Sequence, residues 1–229
     1  MRTRNGFTLF TGVILLLGAI LVPLGMGIRP LVVEQNFHFQ AADFDTIRNA
    51  RGIWILAYQV LVFGLFMRLA GLVALGSLHG EAPARTVLYP GIAICAAGLL
   101  INSLSAGYYM HTGFWGAGTL AQATPEMRGS FLAQIQPTSE YMICLERMGK
   151  MFFSLGLVFT GAGLYLAALM PRWLGIVGAV IGLAGMAALF IAPFSQVVFI
   201  PFDVLIALWF AALGGMMLGG RPARAAQPA

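Results

Sequence analysis

The chain has 229 residues, of which 59% are hydrophobic and only 9% are Asp, Glu, Lys or Arg, with a mean hydropathy of +0.87. A soluble domain carries about 25% charged residues, so this composition excludes a globule that covers itself with polar surface in water. The formal net charge of +5 does not indicate nucleic acid, because the basic residues stand singly at the ends of apolar runs rather than in a stripe.

Six apolar runs, roughly 7–28, 52–78, 87–110, 151–170, 173–194 and 197–219, are each long enough to cross a bilayer as a helix. They are continuous, about twice the ten-residue alternating segments of a membrane barrel. They predict an all-α, polytopic membrane bundle of six transmembrane helices. A single domain runs to 220 and a short tail covers 221–229.

At the N-terminus, Met1-Arg2-Thr3-Arg4 precedes an apolar stretch from Phe7 to Ile28. That stretch exceeds a signal-peptide core and no Ala-x-Ala site follows, so it is expected to remain as the first membrane helix. In the connection 29–50, Asp43 and Asp45 are placed to cap a helix running through Arg48 and Arg51 into the second span. Arg68 follows Arg51 by 17 residues, about 25 Å of helix rise. With Arg51 at the outer boundary, Arg68 is expected to snorkel at the cytoplasmic edge. Were it deeper it would need a partner, and Asp203 is a poor one because the two should sit at opposite depths.

The third run ends in Asn102, Ser103, Ser105, Tyr108, Tyr109 and His111. These polar groups predict a hydrogen-bonded pocket opening outward, although the tyrosines with Phe114 and Trp115 also fit an aromatic belt. In the connection 111–150, Thr124-Pro125-Glu126 signals an N-cap, a first-position proline and a first-turn acid. A short surface helix through Ile135 is expected, with Pro137-Thr138-Ser139-Glu140 starting the helix into the fourth span. Met170-Pro171-Arg172-Trp173 makes a tight hairpin. Gly175, Gly178, Gly182 and Gly185, like Gly215 and Gly219, predict close helix packing, with a homodimer face as the alternative.

Arg2, Arg4, Arg85, Arg172, Arg221 and Arg224 gather on one side with Glu81 as their acidic company, which makes that side, and both termini, cytoplasmic. The two long connections on the other side hold six of the eight acids, Glu34, Asp43, Asp45, Glu126, Glu140 and Glu146, and form a small helical cap. Cys95 and Cys144 differ too much in depth to pair, so free thiols are expected.

The candidate chemistry gathers near the outer interface. Asp203 is the single acid within an apolar run, about 6 Å below that interface if the span begins at Phe199. A carboxylate there must face the bundle and be paired or protonated. Glu146 and Lys150 form an i,i+4 pair, and Glu140 shares a helix face with Cys144 and Arg147. Asp203 with Glu140 and Glu146 is the candidate catalytic set. Asn102, Ser105, Tyr108, Tyr109, His111 and Arg147 are the candidate ligand contacts. His38 and His111, with Glu34 or Glu140, make a weak option for a divalent metal. Met142, Cys144, Met148 and Met151 share no compact face for copper. No cofactor is implied, and no Walker loop, GxSxG, HExxH or CxxC motif occurs.

The stretch Leu169-Met170-Pro171-Arg172-Trp173-Leu174-Gly175-Ile176-Val177-Gly178 resembles a hairpin of uncharacterised bacterial multi-pass membrane protein families. The resemblance implies a cell inner membrane location and no particular activity. Three function classes follow from the residues. The first is binding of a lipid-like ligand, or of a partner membrane subunit, through an outer-leaflet polar pocket. The second is a membrane enzyme acting on an isoprenoid- or sterol-like substrate through Asp203 with Glu140, Glu146 or His111. The third is a small dimeric transporter. Membrane lipids are the expected surroundings in each case.

Overall fold

The structure, a computed structural model, describes residues 6–33, 38–78, 82–167, 170–191 and 196–219. Among them the regular elements are α1 (Gly6–Ile28), α2 (Ala41–Asn49), α3 (Arg51–Ser77), α4 (Ala82–Thr119), α5 (Pro125–Ala167), α6 (Arg172–Ile191) and α7 (Gln196–Gly219), with a 3-10 turn at Arg29–Leu31. All but α2 are long and apolar enough to cross a membrane, six in total. The chain is a multi-pass membrane protein of the all-α class. Arg2, Arg4, Glu34, Glu81, Arg221 and Arg224 lie outside the described residues.

The six long helices close into a ring: α1 packs on α3, α3 on α4, α4 on α5, α5 on α6, α6 on α7, and α7 back on α1. Lipid tails give helices no hydrophobic reason to associate, so close backbone approach must supply the attraction. In the α1–α3 seam, a Cβ added to Gly18 would stand 2.7 Å from the Arg68 backbone nitrogen, and one at Gly25 would stand 2.6 Å from that of Leu61. The glycines of α6 are also spent within the chain. Gly175 and Gly182 meet α5, and Gly178 lies beneath Trp209, whose indole N–H donates to the Leu174 carbonyl at 2.9 Å. Gly215 and Gly219 meet nothing within 4 Å among the described residues, so the close packing expected of that pair is not made there. Outward-facing Phe10, Ile20, Phe63, Leu104 and Phe190 give the ring an apolar rim for lipid.

One end of the ring carries a cap built differently from the sequence expectation. α4 continues past 110 to Thr119, and α5 is one helix from Pro125 to Ala167 that passes through Pro137. Proline removes one backbone donor, but this turn is braced by two hydroxyls, one from α5 itself and one from α4. The Ile135 carbonyl accepts from Ser139 Oγ at 3.1 Å and Tyr108 Oη at 3.4 Å, and the two hydroxyls meet at 2.8 Å. The helix start is as expected, with Thr124 Oγ1 accepting from the Met127 N–H at 3.4 Å. α2 does not run into α3; the chain breaks at Ala50.

Asp43 serves the start of α2, its Oδ2 accepting from the Gln40 N–H at 2.6 Å. Asp45 instead ties the cap together. It takes a bidentate pair from Arg128 at 2.7 and 3.2 Å and a contact from Arg48 at 3.1 Å. The hydrogen bond from Arg128 holds the Asp45 carboxyl below the usual carboxylate range. Phe44, Leu120 and Phe131 form a small core beneath it. Gly12, near the start of α1, meets Gly214 and Leu218 near the end of α7, so these two helix ends lie together, opposite the cap.

Candidate functional site

Inside the ring, toward the cap, is a cavity of about 100 Å³ to which all six long helices contribute. α1 supplies Val22 and Met26, with Arg29 of the 3-10 turn continuing that face, and α3 supplies Leu61, Leu65 and Arg68, in each case positions at i, i+4 and i+7. α4 brings Leu99, Asn102, Ser105 and Tyr109. α5 brings Glu146, Lys150, Phe153 and Ser154. Gly185 of α6 and Phe199, Phe202, Asp203 and Ile206 of α7 complete the wall.

Arg68 does not snorkel, and it is not remote from Asp203. It is 2% exposed, its Nε donates to the Gly18 carbonyl at 3.1 Å, and its guanidinium lies 5.2 Å from the Phe210 ring. Two physical facts explain the departure. α3 begins within the cap, where Arg51 stacks over Phe114 at 3.5 Å, so the rise from Arg51 to Arg68 is counted from the cap. Helical side chains also lean toward their own N-terminus. For α3 that is the cap side, so Arg68 is aimed into the cavity and away from the far interface. The absence of a Cβ at Gly18 gives it room.

The charged groups are arranged in sequence around the cavity. Glu146 pairs with Lys150 at 2.9 Å, with side chains 24% and 22% exposed, and the Lys150 ammonium sits 4.6 Å from the Phe199 ring. Asp203 lines the same cavity as Lys150, Arg68 and Glu146, yet it closes no ion pair within 4.0 Å among the described residues. Arg29 lies over the Tyr58 ring at 4.8 Å. Tyr58 and Arg68 are ten residues apart, so the two arginines mark levels about 15 Å apart along α3.

Four lining residues carry a buried polar atom without a hydrogen-bond partner: Arg29 Nε, Arg68 Nη2, Asn102 Oδ1 and Ser105 Oγ. Each such atom costs about 1–3 kcal/mol if nothing occupies the space before it. Three of the four, those of Arg29, Arg68 and Ser105, are donors on residues that line one cavity, whereas Asn102 Oδ1 lies against Gly149 between α4 and α5.

Of the sequence-derived candidates, Asn102, Ser105, Tyr109, Glu146 and Asp203 line this cavity. Glu140 does not. It lies on the cap surface 3.7 Å from His38 Nε2, both more than half exposed. Six residues turn a helix by about 600°, which carries Glu140 to a different face from Glu146. Tyr108 is engaged with Ser139, His111 is exposed and stacked on Trp115, and Arg147 is not part of the lining. Among the described residues no three His, Cys, Asp or Glu side chains converge for a metal ion. Cys95 and Cys144 are free thiols, the first buried and the second exposed. Arg29 was not a sequence candidate, although it continues the Val22–Met26 face by one further step.

The fold and the cavity define a class: a six-helix multi-pass membrane protein with a charged, apolar-walled chamber inside its helix ring. No family profile, curated protein or solved structure matches the chain, so its function is argued from this geometry.

Proposed function

We propose that the protein binds a lipid-like, amphipathic ligand in the ring cavity, with the polar head among the charged groups and the tail along the apolar wall. The observation that carries this reading is the cavity's double character. Unpartnered polar atoms of Arg29, Arg68 and Ser105 share one space with Val22, Leu61, Leu65, Phe153 and Phe202. Water alone suits a polar hole, and an apolar ligand suits a greasy one; this chamber matches a molecule that is both. The helices cross unbroken through their spans among the described residues, unlike the discontinuous helices of many transporters, which favours binding over transport. The cap is proposed to face away from the cytoplasm of a bacterial inner membrane, supported by Arg85 and Arg172 at the opposite helix ends.

The test is native mass spectrometry of the full chain released from a neutral detergent, followed by solvent extraction. A stoichiometric amphiphile adduct is expected, diminished in a folded Arg68→Gln variant. A folded protein that carries no adduct under the mildest release contradicts the proposal.

A second reading is favoured by one feature: Asp203 and Glu146 line the same cavity. Two carboxylates in unlike surroundings can divide acid and base roles on an isoprenoid- or sterol-like substrate. Under that reading Asp203→Asn accumulates an extracted ligand that the natural chain converts. Under the binding reading both yield the same compound.

A further inference from the structure

The cavity's charges do not balance. Arg29, Arg68 and Lys150 face Glu146 and Asp203, three cations against two carboxylates. Lys150 is committed to Glu146 at 2.9 Å. Asp203 shares the cavity wall with Lys150 and Arg68 but is within 4.0 Å of neither. The set thus carries one positive charge in excess, and Arg68, 2% exposed, has no carboxylate within 4.0 Å among the described residues, in a place where an uncompensated charge is costly.

The idle atoms point the same way. Arg68 Nη2 and Arg29 Nε can only donate, and Ser105 Oγ can donate. Arg68 and Ser105 are each 2% exposed. The remaining idle acceptor, Asn102 Oδ1, is pressed against Gly149 between α4 and α5 and is not offered to the cavity in the same way. A neutral head would satisfy hydrogen bonds but leave the charge. A cationic head would add to it beside Arg68. Water has the same shortcoming as a neutral head.

The geometry points to an oxyanion, a carboxylate or a phosphate ester, as the head of the bound amphiphile, received by Arg68 Nη2 and Ser105 Oγ with Arg29 at the cap-side mouth. This inference rests on the binding reading above and specifies the chemistry of its ligand. The donor set suits oxygen anions because charge-assisted N–H···O⁻ bonds are stronger than neutral ones.

The experiment titrates the full chain in phosphatidylcholine nanodiscs with dodecanoate, dodecyl phosphate, dodecanol and dodecylammonium, which share one tail. Acetate and inorganic phosphate serve as tailless anions. Binding is read from the ligand-dependent rise in unfolding midpoint. The two anionic amphiphiles should bind, and Arg68→Gln should weaken them by about tenfold to a hundredfold. Ser105→Ala, which keeps the local shape, should weaken them by about fivefold while leaving dodecanol unchanged. Equal binding of dodecanol or dodecylammonium overturns the anionic head but leaves amphiphile binding standing. Failure of all four overturns the binding reading itself. Tailless anions that bind as tightly as the amphiphiles support the oxyanion site and overturn its assignment to a lipid.

Discussion

The seam between α1 and α3 holds Arg68 in place, and a single methyl group tests it. A Cβ at Gly18 would meet the Arg68 backbone nitrogen at 2.7 Å and its Cγ at 2.8 Å. Neither neighbour is the free end of a flexible chain, so the helices must separate or Arg68 must be displaced from the Gly18 carbonyl. Overpacking of this kind costs about 1–3 kcal/mol. Loss of the Arg68 hydrogen bond, which involves a charged donor, adds about 1.5 kcal/mol at the lower end of its range. Gly18→Ala should therefore destabilise the protein by about 2.5–4.5 kcal/mol. Gly215→Ala is the internal standard, because that position meets nothing within 4 Å among the described residues and should change stability by less than about 0.5 kcal/mol. The assay is reversible unfolding in mixed micelles of neutral detergent and dodecyl sulfate, followed by circular dichroism. If the two alanine variants unfold together, the interlocked seam and the buried position of Arg68 are both wrong.

Three further outcomes follow from particular contacts. Glu146→Gln and Lys150→Met should each destabilise by about 1–3 kcal/mol in the same unfolding assay, because each strands a partly buried charge, and the double variant should cost less than the sum by about 1 kcal/mol; strict additivity would show that the pair is not coupled. The lowered Asp45 carboxyl contributes to cap stability above the ordinary carboxylate range and loses that contribution as pH falls through its folded value. Amide protection in α2, measured against the intrinsic exchange rate at each pH, should accordingly fall below about pH 4, and Asp45→Asn should show the lower protection at neutral pH with the acid step removed. Cys144 should react with N-ethylmaleimide in the folded protein and Cys95 only after unfolding; equal labelling rates contradict the buried position of Cys95.

The membrane spans were legible because the bilayer sets their length and excludes their charges, so six runs became six crossing helices. Asp203 was legible for the same reason, as a lone carboxylate that had to turn inward. Arg68 was misjudged because its depth was measured from Arg51, which the structure seats in the cap against Phe114. The direction in which a helical side chain leans reverses the conclusion drawn from rise alone. Pro137 looked like a boundary because the braces that carry α5 through it, Tyr108 and Ser139, are separated from each other by 31 residues. Glu140 was grouped with Glu146 by nearness in sequence, and helix rotation separates them; His111 was grouped by its place on the outer side, and it lies exposed against Trp115. Arg29 stood just past the first run and was counted with the connection, whereas the 3-10 turn at Arg29–Leu31 prolongs the face of α1 that lines the cavity.

The most direct test of an occupied chamber is a density map of the full chain in native-lipid nanodiscs by electron cryomicroscopy. The account predicts head-group density within hydrogen-bond distance of Arg68 and Ser105, continuous with a tail along Leu61, Leu65 and Phe202. An Arg68 guanidinium closed directly onto Asp203, with only water in the remaining space, would contradict it.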